Sequence, residues 1–303
     1  MARVTEEVKR CNYTPSLLAK GLRTNRTDTI GLLIPNIENS FFAGVAGVVI
    51  RESRNYNYKV VVVDTQEDER NEQDGLSALL ARRVDGIVAA PCGSNSELFA
   101  SVQEGGMPLV LIDRYLPDAG MLSYVTTDNY RGAVMATEYL LENGHRRIAA
   151  LITNPGDRSI SQLRYEGYVQ ALREAGLSLE PSLVICTDTF NIQGAYRAMN
   201  GALDAGTAFT AVFAISDNMA IGAMRALREH GCSIPDNCSV IAIDGIEVSD
   251  YIDPPLTTLC QPMEDMGRHS VKILLDMVEK RSGNRHETLS TVLRPGASVK
   301  KLV

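Results

Sequence analysis

Short runs of Val, Ile, Leu and Ala alternate along this chain with longer stretches whose apolar residues recur every three to four positions. The runs are Ile30–Ile34, Val60–Val63, Gly86–Ala90, Leu109–Ile112, Ile148–Ile152, Leu183–Ile185, Ala211–Ile215 and Val240–Ile243. Near-continuous apolar runs of this length read as strands buried on both faces, the pattern of parallel sheets covered by helices. The intervening segments predict helices at about 41–56, 69–83, 130–143, 161–175, 192–204, 217–230 and 264–281. Gly144, Gly176 and Gly231 stand just past three of them, where a left-handed residue closes a helix. The class is α/β.

Eight strands are too many for one small sheet, and the second half repeats the outline of the first. Breaks fall near Gly144-His145 and Pro254-Pro255. The helix at about 264–281 follows Pro262, and a last extended piece near Thr291–Arg294 precedes Pro295-Gly296. This layout predicts two doubly wound parallel-sheet lobes joined by crossover strands. One lobe is expected to hold 29–144 with 262–291, the other 145–261 with 292–303.

Composition narrows the class. The 303 residues are 45% hydrophobic and 22% charged, ordinary for a globular chain with room for two cores. No apolar run approaches the roughly 18–20 residues that span a bilayer. The first ten residues are polar and charged, without the apolar stretch of a signal peptide, so a cytoplasmic location and no membrane partner are expected. Cys11, Cys92, Cys186, Cys232, Cys238 and Cys260 include no Cys-x-x-Cys pair. His145, His230, His269 and His286 have no zinc-like spacing, and free thiols with no metal are expected. The net charge of −7 is uneven: residues 1–27 hold six basic and two acidic side chains, +4, leaving −11 on the rest. A basic end on an acidic body suits a DNA-facing terminus, or simply a solvated one.

In doubly wound sheets ligands bind outside the carboxyl ends of the strands. Those ends are polar here: Asn36 and Asn39, Asp64, Asp113-Arg114, Ser216-Asp217 and Asp244. A single carboxylate at such a place serves as a helix N-cap as readily as a ligand contact. Asp217 before Asn218 reads as a cap and Asp64 as a loop residue. Several converging on one cleft is a different matter. Enzyme signatures are lacking: Gly44-Val-Ala-Gly47 lies inside an expected helix, and there is no Gly-x-Ser-x-Gly elbow or phosphate-binding loop.

A set of phrases in fixed order resembles the lac-repressor family of bacterial transcription regulators. They include Tyr13-Thr-Pro-Ser, Ala19-Lys-Gly-Leu22, Thr29-Ile-Gly-Leu-Leu-Ile-Pro35, Asn39-Ser-Phe-Phe42, Arg83-Val-Asp-Gly-Ile87 and Gly144-His-Arg-Arg-Ile148. Arg164-Tyr-Glu-Gly-Tyr168, Ser216-Asp-Asn-Met-Ala220, Val240-Ile-Ala-Ile-Asp244, Pro255-Leu-Thr-Thr258 and Gln261-Pro-Met-Glu-Asp-Met-Gly267 follow. The resemblance implies a two-lobed body like that of type I periplasmic binding proteins, a small-molecule effector in the interlobe cleft, operator DNA as a partner of the full-length protein, and a homodimer. It implies no cofactor.

The same resemblance makes residues 1–28 a remnant of a DNA-binding head with its hinge. Pro15 suits the first turn of a helix, and Leu17, Leu18 and Leu22 give that helix an apolar side. In the family a pair of such helices enters the minor groove, and the leucine matching Leu22 wedges between base steps. Ala19, Lys20, Leu22 and Arg23 are the hinge residues implied, with Lys20, Arg23 and Arg26 on phosphates. Family members begin with a helix-turn-helix, of which only a third helix near Val4–Arg10 is recognisable here. The chain is therefore expected to be a shortened regulator, or one numbered from an internal Met, without sequence-specific DNA binding of its own.

For the effector the resemblance implies Asn39, Phe41, Phe42, Asp113, Arg114, Arg164, Phe190, Ser216, Asp244 and Gln261. Asp113-Arg114 is similar to the pair that grips sugar hydroxyls, a carboxylate accepting while a guanidinium donates. A structural ion pair at the strand end is the other reading. Phe41 and Phe42 offer ring faces for a sugar or base, or belong to the core, with Phe41 the more cleft-facing of the two. Asp128 and Arg158 add to the set. Ser216 departs from the Asn of sugar-binding members. The family's dimer contact implies the helices at about 41–56 and 69–83, and on the first of them Val45, Val48 and Val49 are read as interface, with the core as the other reading. A small sugar is expected ahead of a purine, although an aromatic pair with Arg and Asp could sandwich a base as readily as a pyranose. The rival is a solute-binding protein for sugar transport, which calls for a signal peptide and no basic hinge.

Overall fold

The computed structural model describes residues 26–93, 95–114, 116, 122–153, 160–281 and 283–302. The hinge residues Ala19, Lys20, Leu22 and Arg23, and also Arg158, lie outside the described residues.

The chain folds as the two doubly wound α/β lobes that the apolar runs predict. In order the elements are β1 (Thr29–Ile34), α1 (Ser40–Asn55), β2 (Lys59–Asp64), α2 (Glu69–Ala81), β3 (Gly86–Ala89), α3 (Ser96–Glu104), β4 (Leu109–Ile112) and β5 (Ser123–Thr127). There follow α4 (Asn129–Glu142), β6 (Ile148–Thr153), α5 (Ile160–Glu174), β7 (Val184–Thr187), α6 (Ile192–Asp204), β8 (Ala211–Ala214), α7 (Asp217–Glu229) and β9 (Ser239–Asp244). Then come β10 (Thr257–Cys260), α8 (Met263–Val278), β11 (His286–Leu289) and β12 (Val292–Arg294). The first sheet runs β11-β5-β4-β3-β1-β2, all parallel. The second runs β12-β10-β9-β8-β6-β7, parallel except for the antiparallel edge strand β12.

Local chemistry starts the helices. Asn39, Asp68, Asn95, Asp128, Asn191 and Ser216 each accept a first-turn N–H of the helix that follows, the role that favours short polar side chains there. Gly144, Gly176 and Gly231 adopt φ of 90°, 70° and 75° past the ends of α4, α5 and α7, as expected of closing glycines.

Two expectations about packing are corrected. Helix α4 belongs with the second lobe: Ala133, Ala136 and Leu140 are buried in the same core as Ile148, Phe213 and Ile241. The chain thus first changes lobe at Asp128-Asn129, not near Gly144, because the apolar face of α4 fits the β8–β10 surface. Val45, Val48 and Val49 are not at an interface: all three are buried within the chain. They lie where α1 packs on α8, close enough that a Cβ on Gly267 would stand 2.6 Å from Val48.

Among the described residues no helix is long and apolar enough to cross a membrane, and no group of His, Cys, Asp and Glu is placed to hold a metal.

Candidate functional site

The carboxyl ends of β4, β5, β9 and β10 bring polar side chains from both lobes together. On the second lobe, Arg164 rises from the first turns of α5 and is almost wholly buried. Its Nη1 donates to the carbonyl of Ile215 at 2.5 Å and faces Asp244 Oδ1 at 3.4 Å. Its Nε donates to Asn129 Oδ1 at 2.8 Å. Asp244 ends β9 with a φ of 145°, a conformation that L-residues rarely adopt and that sites hold at a cost. The Gln261 amide donates to Asp244 Oδ1 at 2.9 Å, while its oxygen accepts from Thr127 Oγ1 at 2.7 Å. A buried chain, Thr127–Gln261–Asp244–Arg164–Asn129, therefore ties the two crossovers at Asp128 and Gln261 to the lobes they join. Parallel pairing of Cys260 with Asp244 sets Gln261 beside it.

Asp113 faces this chain from the first lobe. It follows β4 with φ 64°, and its N–H donates to Val125 O at 2.9 Å. Its Oδ1 is buried with no hydrogen-bond partner among the described residues. Burial pushes the Asp113 carboxyl up to about 6, partly offset by the positive charges of Arg114 and Arg164. Burial likewise pushes Asp244 up to about 7; Arg164 opposes the shift and the neighbouring Asp217 adds to it. Two buried carboxyls with raised pKa values thus flank the Arg164 guanidinium and bring acceptors from both lobes to one place.

Arg114 is arranged differently from the expected Asp-Arg pair. Its fork meets both oxygens of Glu67, Nη1 to Oε2 at 2.9 Å and Nη2 to Oε1 at 3.0 Å. Nη1 also donates to the Pro91 carbonyl at 3.2 Å. The guanidinium lies 5.6 Å from the ring centre of Phe42 and 5.9 Å from that of Phe190, within cation–π range of both. Phe42 comes from the first lobe and Phe190 from the second, so Arg114 stands at the seam.

Other expected residues are used otherwise. Phe41 is core, buried with Val45, Val49, Met266 and Ile246 and edge-on to Phe42 at 5.2 Å. Phe42 is equally buried in that core and is the ring that also meets Arg114. Ser216, not Asp217, caps α7, accepting from Met219 N–H at 3.3 Å. With the cap supplied, Asp217 accepts from the N–H groups of Gly245 and Ile246 at 3.0 Å, Ser249 Oγ at 2.8 Å and Thr258 Oγ1 at 2.5 Å. It is a buried brace for the β9 turn. Asp128 caps α4. Asn39 caps α1 and also accepts from Asn218 Nδ2 at 3.2 Å, a direct bond between lobes.

Sequence reasoning missed Glu67, Thr127 and Asn129. The first lies just past β2 and the others at the end of β5, so the strand-end rule was the signal available for all three.

Known proteins share this architecture. A family described as periplasmic binding protein-like domain matches residues 137–299. The chain is 33% identical to the ribose operon repressor of Haemophilus influenzae over 97% of its length and 86% of that protein's. It is 31% identical to the HTH-type transcriptional repressor PurR of Pasteurella multocida, over 93% of this chain and 84% of the repressor. A solved LacI family transcriptional regulator from Enterococcus faecium with bound ribose superposes with a TM-score of 0.81 at 30% identity, covering 91% of this chain and all of that one.

Proposed function

The chain belongs to the LacI (lac-repressor) family of transcription regulators, and from that premise we propose that it senses a small sugar or sugar derivative between its lobes and transmits their closure to operator DNA. The observation that carries this is the buried Oδ1 of Asp113, which has no partner among the described residues and faces the Arg164–Asp244 pair of the opposite lobe. A buried acceptor without a donor is costly, and a ligand hydroxyl would satisfy it. Arg164, Asn129 and Gln261 offer further donors and acceptors at fixed spacing, the requirement for reading several hydroxyls.

The aromatic groups favour a sugar over a purine. Phe42 and Phe190 flank the Arg114 guanidinium, whereas a base sandwiched by rings needs those faces free. Relatives named for both ligand types exist, so the discrimination rests on these side chains.

The mechanism is a population shift. A ligand that touches Asp113 in one lobe and Arg164 and Asp244 in the other stabilises the closed arrangement, and only that differential affinity moves the equilibrium. In a homodimer, lobe closure would set the spacing of the two segments that precede β1 and carry Ala19, Lys20, Leu22 and Arg23. The protein would act in the cytoplasm. A transport role is disfavoured because the relatives matched over most of their length are repressors.

Titration calorimetry with D-ribose, a panel of other free sugars and a purine base tests the reading. We expect saturable binding of one sugar, abolished by Asp113→Ala. Saturation by the purine with no response to any sugar would sink it.

A further inference from the structure

We propose that Glu67 is a specificity-determining residue that turns the cleft towards uncharged sugars and away from their phosphate esters. The inference rests on the sugar-sensing reading above and deepens it.

The Glu67 carboxylate takes both terminal nitrogens of Arg114 in a fork-to-fork pair at 2.9 and 3.0 Å. A phosphate would claim the same two N–H directions, so carboxylate and phosphate exclude one another at this guanidinium. The backbone holds Glu67 there. Gln66 and Glu67 both sit in the left-handed region, at φ 55° and 58°, which residues with a Cβ avoid. The turn is fixed by Thr65 N–H on Ile34 O at 3.0 Å, Glu67 N–H on Pro35 O at 2.8 Å and Gln66 N–H on Asp64 Oδ1 at 3.1 Å. Strained backbone pinned at three points, ending in a bidentate pair, is the arrangement expected where a side chain must stay in place.

The charge pattern points the same way. Arg114 is matched by Glu67 and Arg164 by Asp244, while Asp113 has a buried oxygen with no donor among the described residues. A free sugar brings hydroxyl donors to Asp113 and displaces no ion pair. A sugar phosphate brings two negative charges to a site whose guanidinium groups are already paired, so it must break the Glu67–Arg114 pair or meet Asp113 and Glu67 unscreened. Selectivity of this kind comes from the repulsive element as much as from the attractive one.

The test is calorimetry on the whole chain, wild type and Glu67→Gln, with D-ribose and D-ribose 5-phosphate as probes. Wild type is expected to prefer the free sugar by roughly thirtyfold or more. Glu67→Gln should tighten the ester by on the order of tenfold and change the free sugar by less than about threefold. Adding Arg114→Gln to Glu67→Gln should remove the gain. Glu67 is partly exposed, so the variant is expected to melt close to wild type. Free-sugar binding matched by equal ester binding in wild type, an unchanged ratio in Glu67→Gln, or a gain that survives loss of Arg114 would each overturn the inference while leaving the sugar reading intact. Failure of D-ribose and of every other free sugar to bind would overturn the sugar reading, and this inference with it.

Discussion

Arg164 Nη1 lies 3.4 Å from Asp244 Oδ1, with both side chains almost entirely removed from solvent. A buried pair of this kind adds little net stability when intact, but removing one partner strands the other charge. Arg164→Ala should therefore destabilise the protein by about 3–5 kcal/mol at pH 8. The loss should shrink at pH 6, where Asp244, already pushed up to about 7, takes a proton and no longer needs the guanidinium. Asp244→Asn in the Arg164→Ala background should restore part of the stability and none of the ligand affinity. Urea denaturation at the two pH values reads the first effect and calorimetry the second. Undiminished sugar affinity in Arg164→Ala would remove this residue from the site.

The Asp113 carboxyl gives a pH dependence with a definite sign. Burial raises it to about 6 in the folded protein, against about 3.9 in an unfolded chain. Between those values the folded state holds a proton that the unfolded state has released. The associated stability is complete below about pH 4 and is lost as pH climbs through 6, at most about 3 kcal/mol from this group. Asp113→Asn should therefore raise the melting temperature relative to wild type more at pH 8 than at pH 4.5. A hydroxyl donor on Asp113 favours its ionised form, so ligand should bind more tightly at pH 8 than at pH 5, with proton release near pH 6. Calorimetry in buffers of different ionisation heat measures that release; uptake in place of release would show that the ligand does not donate to Asp113.

Much of the scaffold was legible because its central strands are buried on both faces. The runs at Ile30–Ile34 and Ile148–Ile152 carry no polar residue, so composition alone marks them as strands. By contrast β5, β10 and β11 are polar, Ser-Tyr-Val-Thr-Thr, Thr-Thr-Leu-Cys and His-Glu-Thr-Leu, and none is an apolar run. They lie at the crossovers and the sheet edge, where backbone pairing rather than apolar patterning fixes the strand. Asp113, Arg164, Asp244 and Gln261 were accessible through the family resemblance and the strand-end rule. Glu67 also follows a strand end, but its role was not legible, because its partner lies 47 residues away on a different strand end and only the folded sheet brings them together. Asp217 was misread because Ser216 and Asp217 compete for the cap. Once Ser216 takes it, the carboxylate is free to accept four donors from the β9 turn and β10.

Asp217 should be the most sensitive carboxylate outside the cleft. Removing it as Asp217→Ala leaves the Gly245 and Ile246 amides and the Ser249 and Thr258 hydroxyls without their acceptor. Each orphaned buried donor costs about 1–3 kcal/mol, so loss of cooperative folding is expected. Asp217→Asn keeps an acceptor oxygen and should fold with a smaller loss. Equal, near-wild-type melting of both variants would show that the brace is dispensable.

The contact between α1 and α8 decides whether Val48 is core or interface. A Cβ built on Gly267 would stand 2.6 Å from Val48 Cγ1, 2.8 Å from Val48 Cβ and 3.4 Å from the backbone nitrogen of Val49. A flexible side-chain end would yield to such an approach, but a branched Cβ and a main-chain atom cannot, so the helices must part. Gly267→Ala should then cost about 1–3 kcal/mol through overpacking, despite the better helix propensity of Ala by about 1 kcal/mol. Because the strain lies inside one chain, the loss should be independent of protein concentration, and light scattering should give the same mass for variant and wild type. Val48→Ala removes the Cγ1 contact at 2.6 Å but keeps the Cβ contact at 2.8 Å, so the double variant should recover part of the loss, making the two changes non-additive by about 0.5–3 kcal/mol, as for residues in direct contact. A change of mass with no change in unfolding free energy would return Val48 to the surface between subunits.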